Sequence, residues 1–295
     1  MPFPYLNETQ ELNETTRRAA ESGAFVTLSD GVTHYDLGGK AATKPVVLVH
    51  GFSVPYFIWD PTYDFLVKSG FRVLRYDLFG RGFSDRPRVR YDLDLFCKQL
   101  IELLDTLGLT QPIALCGLSM GGPIAAAAAE RYPERVERLV LIDPAGVQPI
   151  GISPLLKLTL LPGLGELALG LFGSETLVKD IASDFFGPGL VAQFQARYRV
   201  QMQYSGFMRA ILSTMRNGML GSFLDVYRRV GKLDKPTLLL WGREDKTVPF
   251  AHSADLLSAI PHAELHVFEH CGHIPHYEKP EEANPLLLKF LKLSR

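Results

Sequence analysis

The sequence predicts an α/β fold built on a mainly parallel, eight-stranded sheet. Short apolar, β-branched runs recur along the chain, helical segments separate most of them, and Gly, Pro, Asn or Asp mark the junctions. Residues 1–23 are polar and read as a short helical or loose lead-in. Residues 24–28 and 32–37 read as two strands joined by a turn at Asp30-Gly31. Val46–Val49 is a continuous apolar run, the pattern of a strand covered on both faces. The segments 71–76, 113–116, 138–142, 237–241 and 264–268 repeat that character. Helical segments are expected at about 92–107, 120–131, 250–260 and 280–293. Ala125–Ala129 suits a helix packed closely on a sheet.

One interval breaks the alternation. From about Val147 to Val230 no buried strand is legible. Apolar helical stretches (Leu155–Leu161, Leu167–Phe172) are punctuated there by Gly163, Gly165, Gly173, Gly187 and Gly189. The expectation is a helical cap, residues 147–230, inserted between core parts 1–146 and 231–295. A separate bundle domain is the weaker reading, because the sheet pattern resumes directly after Pro236.

Composition removes several function classes. With 46% hydrophobic and 21% charged residues, the chain is an ordinary globular protein. A formal net charge of −1 gives no electrostatic case for nucleic acid or an anionic membrane surface. No uninterrupted apolar run reaches transmembrane length. Met1–Tyr5 lacks the basic and apolar regions of a secretory leader, so the expected location is cytoplasmic. Without secretion, the glycosylation patterns at Asn7 and Asn13 carry no meaning. Cys97, Cys116 and Cys271 do not make a disulfide framework, and Cys116 reads as a small buried hydrophobe. Nothing in the sequence bears on oligomeric state.

The chemistry is read first from Gly117-Leu118-Ser119-Met120-Gly121. The motif follows an apolar strand and precedes an Ala-rich helix. That context, strand then sharp turn then helix, makes Ser119 a nucleophile rather than an incidental turn residue. A Cβ at either flanking glycine would clash, and the helix N-terminus behind the serine favours developing negative charge. A serine hydroxyl needs a base to take its proton, and the base needs an acid to fix its tautomer.

Eight histidines compete for the role of base. His34 and His266 lie in strands, and His252 and His262 flank a surface helix. His50 and the cluster His270, His273 and His276 remain. His273 follows Gly272 in the loop after the last strand, at the carboxyl edge where open α/β sheets build their sites. Zinc binding by the cluster is the weaker reading, since no paired cysteine or His-Glu helical motif accompanies it. For the acid, Asp245 follows strand 237–241 within Trp241-Gly242-Arg243-Glu244-Asp245. Glu244 beside it is expected to point elsewhere. Asp143, at the end of strand 138–142, is the rival.

Beyond about residue 24 the chain resembles the α/β-hydrolase superfamily, in the lid-bearing branch of serine carboxylesterases and lipases, and is similar also to the meta-cleavage-product hydrolases. The residues that carry the likeness are His50-Gly51-Phe52, Asp77 to Ser84, Gly117 to Gly122, Gly242 to Pro249, and Gly272-His273 with Glu278-Lys279-Pro280-Glu281. The resemblance implies Asp245 as the acid after the seventh strand. It also implies an oxyanion hole made by the backbone N–H groups of Phe52 and Met120. Asp77-Leu78-Phe79-Gly80-Arg81-Gly82 fits no phosphate-loop fingerprint and reads as a structural turn, with Ser84 and Asp85 structural too.

The expected activity is acyl transfer on a small-molecule carboxylic ester with an apolar acyl or alcohol group, without metal or organic cofactor. The cap would cover the site, with Phe207, Met208, Met215 and Met219 as lining candidates, though simple packing within the cap is the stronger reading for any one of them. The same triad supports hydrolysis of a carbon–carbon bond in a vinylogous diketone, and perhydrolysis as a side activity. Epoxide hydrolases and haloalkane dehalogenases require an Asp at the elbow, where this chain has Ser119. A non-catalytic receptor on the same fold is the alternative from a different class.

Overall fold

The computed structural model describes residues 5, 7–18, 20, 22–149 and 160–293. Its eight strands are β1 (Ala24–Leu28), β2 (Gly31–Gly38), β3 (Pro45–Val49), β4 (Arg72–Tyr76), β5 (Ile113–Leu118), β6 (Val136–Ile142), β7 (Thr237–Gly242) and β8 (Glu264–Phe268). They form one sheet in the order β1-β2-β4-β3-β5-β6-β7-β8. The pairs β1/β2 and β2/β4 are antiparallel, and every later pair is parallel. The carboxyl ends of β3 to β8 therefore lie along one edge, and the loops leaving them share that edge.

The continuous apolar runs are explained by two covered faces. Side chains alternate along a strand. Val47, Val49, Leu139, Leu141, Leu239 and Trp241 enter one core. Their neighbours Val46, Leu48, Val140, Ile142, Leu238 and Leu240 enter the other. The first core is closed by α3 (Leu93–Thr106) and α4 (Gly121–Arg131), together with α9 (Leu224–Val230) and α10 (His252–Ala259). The second takes residues from α2 (Asp60–Lys68) and α12 (Pro280–Lys292). Ala125 to Ala129 in α4 are all buried, as expected of a helix lying close against β5 and β6. Asp92 caps α3 by accepting the Leu95 N–H at 3.0 Å.

The lead-in contains one short helix, α1 (Glu14–Arg17), capped by Asn13. Between β6 and β7 the described residues carry helices and no strand. These are α5 (Leu164–Ala168), a π-helical turn at Leu169–Gly173, α6 (Ser174–Asp180), a 3₁₀ turn at Ile181–Asp184, α7 (Val191–Gln201), α8 (Phe207–Arg216) and α9. Most of the expected stretch Leu155–Leu161 lies outside the described residues. This helical segment is tied to the lead-in by part-buried polar contacts. Glu8 accepts the N–H groups of Gly206 and Met208 at 2.6 and 2.7 Å, taking up free donors at the start of α8. Outside residues 147–230, two of the described helices were not legible in the sequence: α2, and the single turn α11 (Pro275–Glu278). α2 starts with Pro in its first turn and buries Thr62, Tyr63 and Leu66; its polar face is only Asp60, Asp64 and Lys68, a faint mark in an aromatic stretch.

The three cysteines are free and buried. Burial pushes the Cys97 thiol up to about 12 and raises Cys116 further. Among the described residues no helix is long and apolar enough to cross a membrane.

Leu141 is fully buried in the central strands. Leu141→Ala is expected to lower the unfolding free energy by about 2–5 kcal/mol, read as an earlier urea midpoint at unchanged slope.

Candidate active site

Ser119 stands at the end of β5 with φ +52°, a backbone region that L-residues with a Cβ rarely adopt. The surrounding backbone leaves it no alternative. Its N–H donates to Ile142 O at 2.9 Å, and its carbonyl accepts the N–H groups of Gly122 (2.8 Å) and Ala145 (3.0 Å). A Cβ at Gly117 would fall on the Gly121 carbonyl. One at Gly121 would fall on the Val49 carbonyl and lie 2.8 Å from that of His50. Both flanking glycines are thus demanded by close approach of β3 and α4 to the turn.

The turn after β3 lies against the serine. A Cβ on Gly51 would come within 3.1 Å of Ser119 Cβ and 3.6 Å of its Oγ. Phe52 therefore follows a glycine that lies against Ser119, and Met120 caps the start of α4 beside it. His50 braces this turn. It is fully buried, accepts the Leu78 N–H on Nε2 at 2.9 Å, and faces Gly51 O with Nδ1 at 2.9 Å. Since Nε2 accepts, Nδ1 carries the proton. Burial pushes its pKa down to about 4, so the ring stays neutral.

Arg81 is the second brace. Its guanidinium is fully buried and donates to Phe52 O (2.7 Å), Phe79 O (3.1 Å) and Thr214 Oγ1 (2.9 Å) on α8. Burial lowers its pKa to about 10. Gln201 on α7 makes a parallel link, donating to Ser53 O at 2.7 Å and accepting the Gly82 N–H at 2.9 Å.

His273 and Asp245 meet. His273 Nδ1 lies 2.7 Å from Asp245 Oδ2, and both side chains are buried. The other oxygen, Oδ1, accepts the N–H groups of Thr247 and Val248, each at 2.8 Å. Three donors suit a carboxylate, and they leave Asp245 a fixed orientation. Burial acts to lower the His273 pKa. The Asp245 charge, their hydrogen bond and the Asp184 charge outweigh it, so the net direction is upward. Asp143 stands beside the pair: the ligand-type atoms of Asp143, Asp245 and His273 all lie within 4.8 Å of one another. Asp143 Oδ1 accepts the Gly242 N–H at 2.9 Å.

The neighbouring histidines sort themselves. His270 is largely exposed. His276 is buried against Trp59, with ring centroids 4.3 Å apart, and burial lowers its pKa to about 3. His34 is buried between Asp77, at 2.8 Å, and Ser22 O, at 2.9 Å. Asp77 also accepts the N–H groups of Tyr56 and Phe83, and Ser84 Oγ donates to its carbonyl at 2.6 Å, so the Asp77 turn is structural as expected. Glu244 turns away from His273 to accept the Cys271 N–H at 3.0 Å.

Sequence reasoning missed several supports of this site. Asp184 accepts the His273 N–H on its carbonyl at 2.7 Å and the Thr247 hydroxyl on its carboxylate at 2.7 Å. Glu278 accepts the N–H groups of Phe186 and Gly272, both at 2.8 Å, fastening the His273 loop to the helical segment. Glu278 had a signal in the Glu-Lys-Pro-Glu run; Asp184 and Gln201 had none, since their partners are distant in sequence. A cleft of about 450 Å³ lined by Ser22, His34, Tyr56, Asp60, Arg75 and Arg197 lies apart from Ser119, Asp245 and His273. Its two arginines are held by Asp36 and Asp60.

A family profile described as the alpha/beta hydrolase family matches residues 46–285. The chain belongs to the α/β-hydrolase family. This α/β hydrolase is 34% identical to the 2-hydroxymuconate semialdehyde hydrolase of Pseudomonas putida, with 97% of each chain covered. It is 30% identical to the 2-hydroxy-6-oxo-6-phenylhexa-2,4-dienoate hydrolase of Comamonas testosteroni, covering 90% of this chain and 93% of that one. Among solved structures it is similar to a meta-cleavage product hydrolase from Pseudomonas fluorescens IP01, with TM-score 0.74, 27% identity, and 91% and 97% coverage.

Because Gly51 abuts Ser119, Gly51→Ala is expected to lower turnover about tenfold or more. The thermal midpoint should move by only about 3 °C. Steady-state kinetics beside a thermal melt checks both.

Proposed function

We propose that this α/β hydrolase is a serine hydrolase with Ser119 as nucleophile, His273 as base and Asp245 as acid. Its proposed substrate is a ring-opened 2-hydroxy-6-oxo-dienoate, cleaved at a carbon–carbon bond. The observation that carries the triad is the buried 2.7 Å contact of His273 Nδ1 with Asp245, which leaves Nε2 free for the serine proton. The substrate class is supported by relatives named as hydrolases of such compounds, which match nearly the whole chain. The carboxylic-ester reading drawn from the sequence therefore takes second place.

In the proposed reaction His273 takes the Ser119 proton as Oγ adds to the 6-oxo carbonyl of the substrate's 2-oxo tautomer. The N–H groups of Phe52 and Met120 receive the oxyanion. Collapse breaks the carbon–carbon bond, and its electron pair delocalises onto the 2-oxo oxygen. The imidazolium returns the proton to that fragment. A water deprotonated by His273 then frees the acid and restores Ser119. The helical segment at 147–230 serves as a cap, held to the core through Glu8, Gln201 and the Arg81–Thr214 contact.

One observation favours ester cleavage. A dienoate carries a carboxylate, yet the buried cation beside Phe52, Arg81, already donates to two carbonyls and a hydroxyl of the protein. A neutral ester needs no such partner.

The two readings separate in one assay. Purified protein is expected to bleach 2-hydroxy-6-oxo-6-phenylhexa-2,4-dienoate with a higher kcat/KM than it shows on any member of a p-nitrophenyl ester series. The reverse ranking would establish the esterase. Ser119→Ala should abolish both activities with the circular dichroism spectrum unchanged. The raised His273 pKa places the acid limb of kcat/KM above the ordinary imidazole value of about 6.5. Activity should rise with pH through that limb, because the base must be deprotonated. Asp245→Asn should lower kcat by about 10²- to 10⁴-fold and move the limb downward.

A further inference from the structure

The two acids that compete in the sequence converge in space, and the second is not idle. Asp143 ends β6 as Ser119 ends β5, also at positive φ, +42°. Its N–H donates to Leu240 O at 2.9 Å and its Oδ1 accepts the Gly242 N–H, so the carboxyl is held rigidly at the carboxyl edge. It is fully buried, and as a carboxylate its Oδ2 has no donor to accept from among the described residues. A bare carboxylate oxygen in that position, next to a second carboxylate, is costly.

We propose that Asp143 is a positioning residue that stays a neutral carboxylic acid and donates its Oδ2 proton to Asp245. The proposal rests on the triad reading above. The bond supplies Oδ2 with its missing partner and gives Asp245 a fourth donor, beside Thr247 N, Val248 N and His273 Nδ1. It also limits buried negative charge. With Asp143 neutral, the imidazolium of His273 faces Asp245 and Asp184; an ionised Asp143 would add a third carboxylate against that single cation. The titratable groups facing Asp143 are Asp245 after β7, His273 and Cys271 after β8, and Asp184 from the helical segment. None but His273 brings positive charge. Burial first, and then the Asp245 charge, push the Asp143 carboxyl well above the usual carboxylate range, outweighing the Gly242 N–H.

The test uses the full chain as Asp143→Ala and Asp143→Asn. Asp143→Ala removes a hydrogen bond to a charged group and should lower kcat about 10- to 100-fold with KM changed little. The Asn amide is neutral and can donate, so Asp143→Asn should recover most of that loss. It should also keep the acid limb of kcat/KM within about 0.3 pH unit, since no charge has been removed. Infrared difference spectra of the resting proteins at pH 7 should show a protonated-carboxyl carbonyl band that Asp143→Asn lacks. Wild-type turnover in Asp143→Ala would overturn the proposal. So would a downward limb shift of about one unit in Asp143→Asn, which would mean that a charge had been lost, or the absence of the infrared band. The infrared measurement involves no turnover, so its failure is distinct from failure of the triad reading.

Discussion

The structure turns on one strained residue. Ser119 can hold φ +52° only because three backbones press on it: the end of β3, the start of α4 and the end of β6. Strain of this kind persists where the surroundings over-determine it. Those contacts require glycine at 117 and 121 and leave little room for a Cβ at 51. A side chain at Gly117 or Gly121 would displace Ser119 and the adjoining backbone together.

The parallel sheet supplies the rest by topology. β5, β6, β7 and β8 are neighbours, and each delivers a polar residue to the same edge: Ser119, Asp143, Asp245 and His273. Glycines again permit the approach. A Cβ at Gly242 would fall on the Gly272 carbonyl, and one at Gly272 would fall on that of Asp184. The β7 loop, the β8 loop and the helical segment thus pack backbone to backbone around Asp245 and His273. This packing excludes water from the His273–Asp245 contact, which strengthens the hydrogen bond and makes any unpaired neighbour expensive.

The helical segment is coupled to the surroundings of Ser119 and His273 at more than one point. Arg81 joins the Phe52 carbonyl to Thr214, Gln201 joins the Ser53 carbonyl to α7, and Asp184 holds the His273 backbone. A shift of that segment would be felt at both the Phe52 turn and the His273 loop. The proposed cap is therefore mechanically part of the site.

The sequence by itself determined the α/β class, the eight strands, their helical partners and the serine corner. Each rests on information within a few residues: alternating faces, continuous apolar runs, and glycines next to a serine. Helix α2 escaped because Asp60, Asp64 and Lys68 alone mark its polar face within an aromatic stretch. The tertiary structure alone brought His273 to Asp245, since both loops follow strands yet only sheet order and glycine packing set their separation. It set His273, already favoured by its preceding glycine, on Asp245, while leaving His270 exposed and burying His276 against Trp59. It also placed Asp143 against Asp245 instead of in place of it. Those outcomes depend on distances between residues 28 to more than 100 positions apart, which no local pattern encodes.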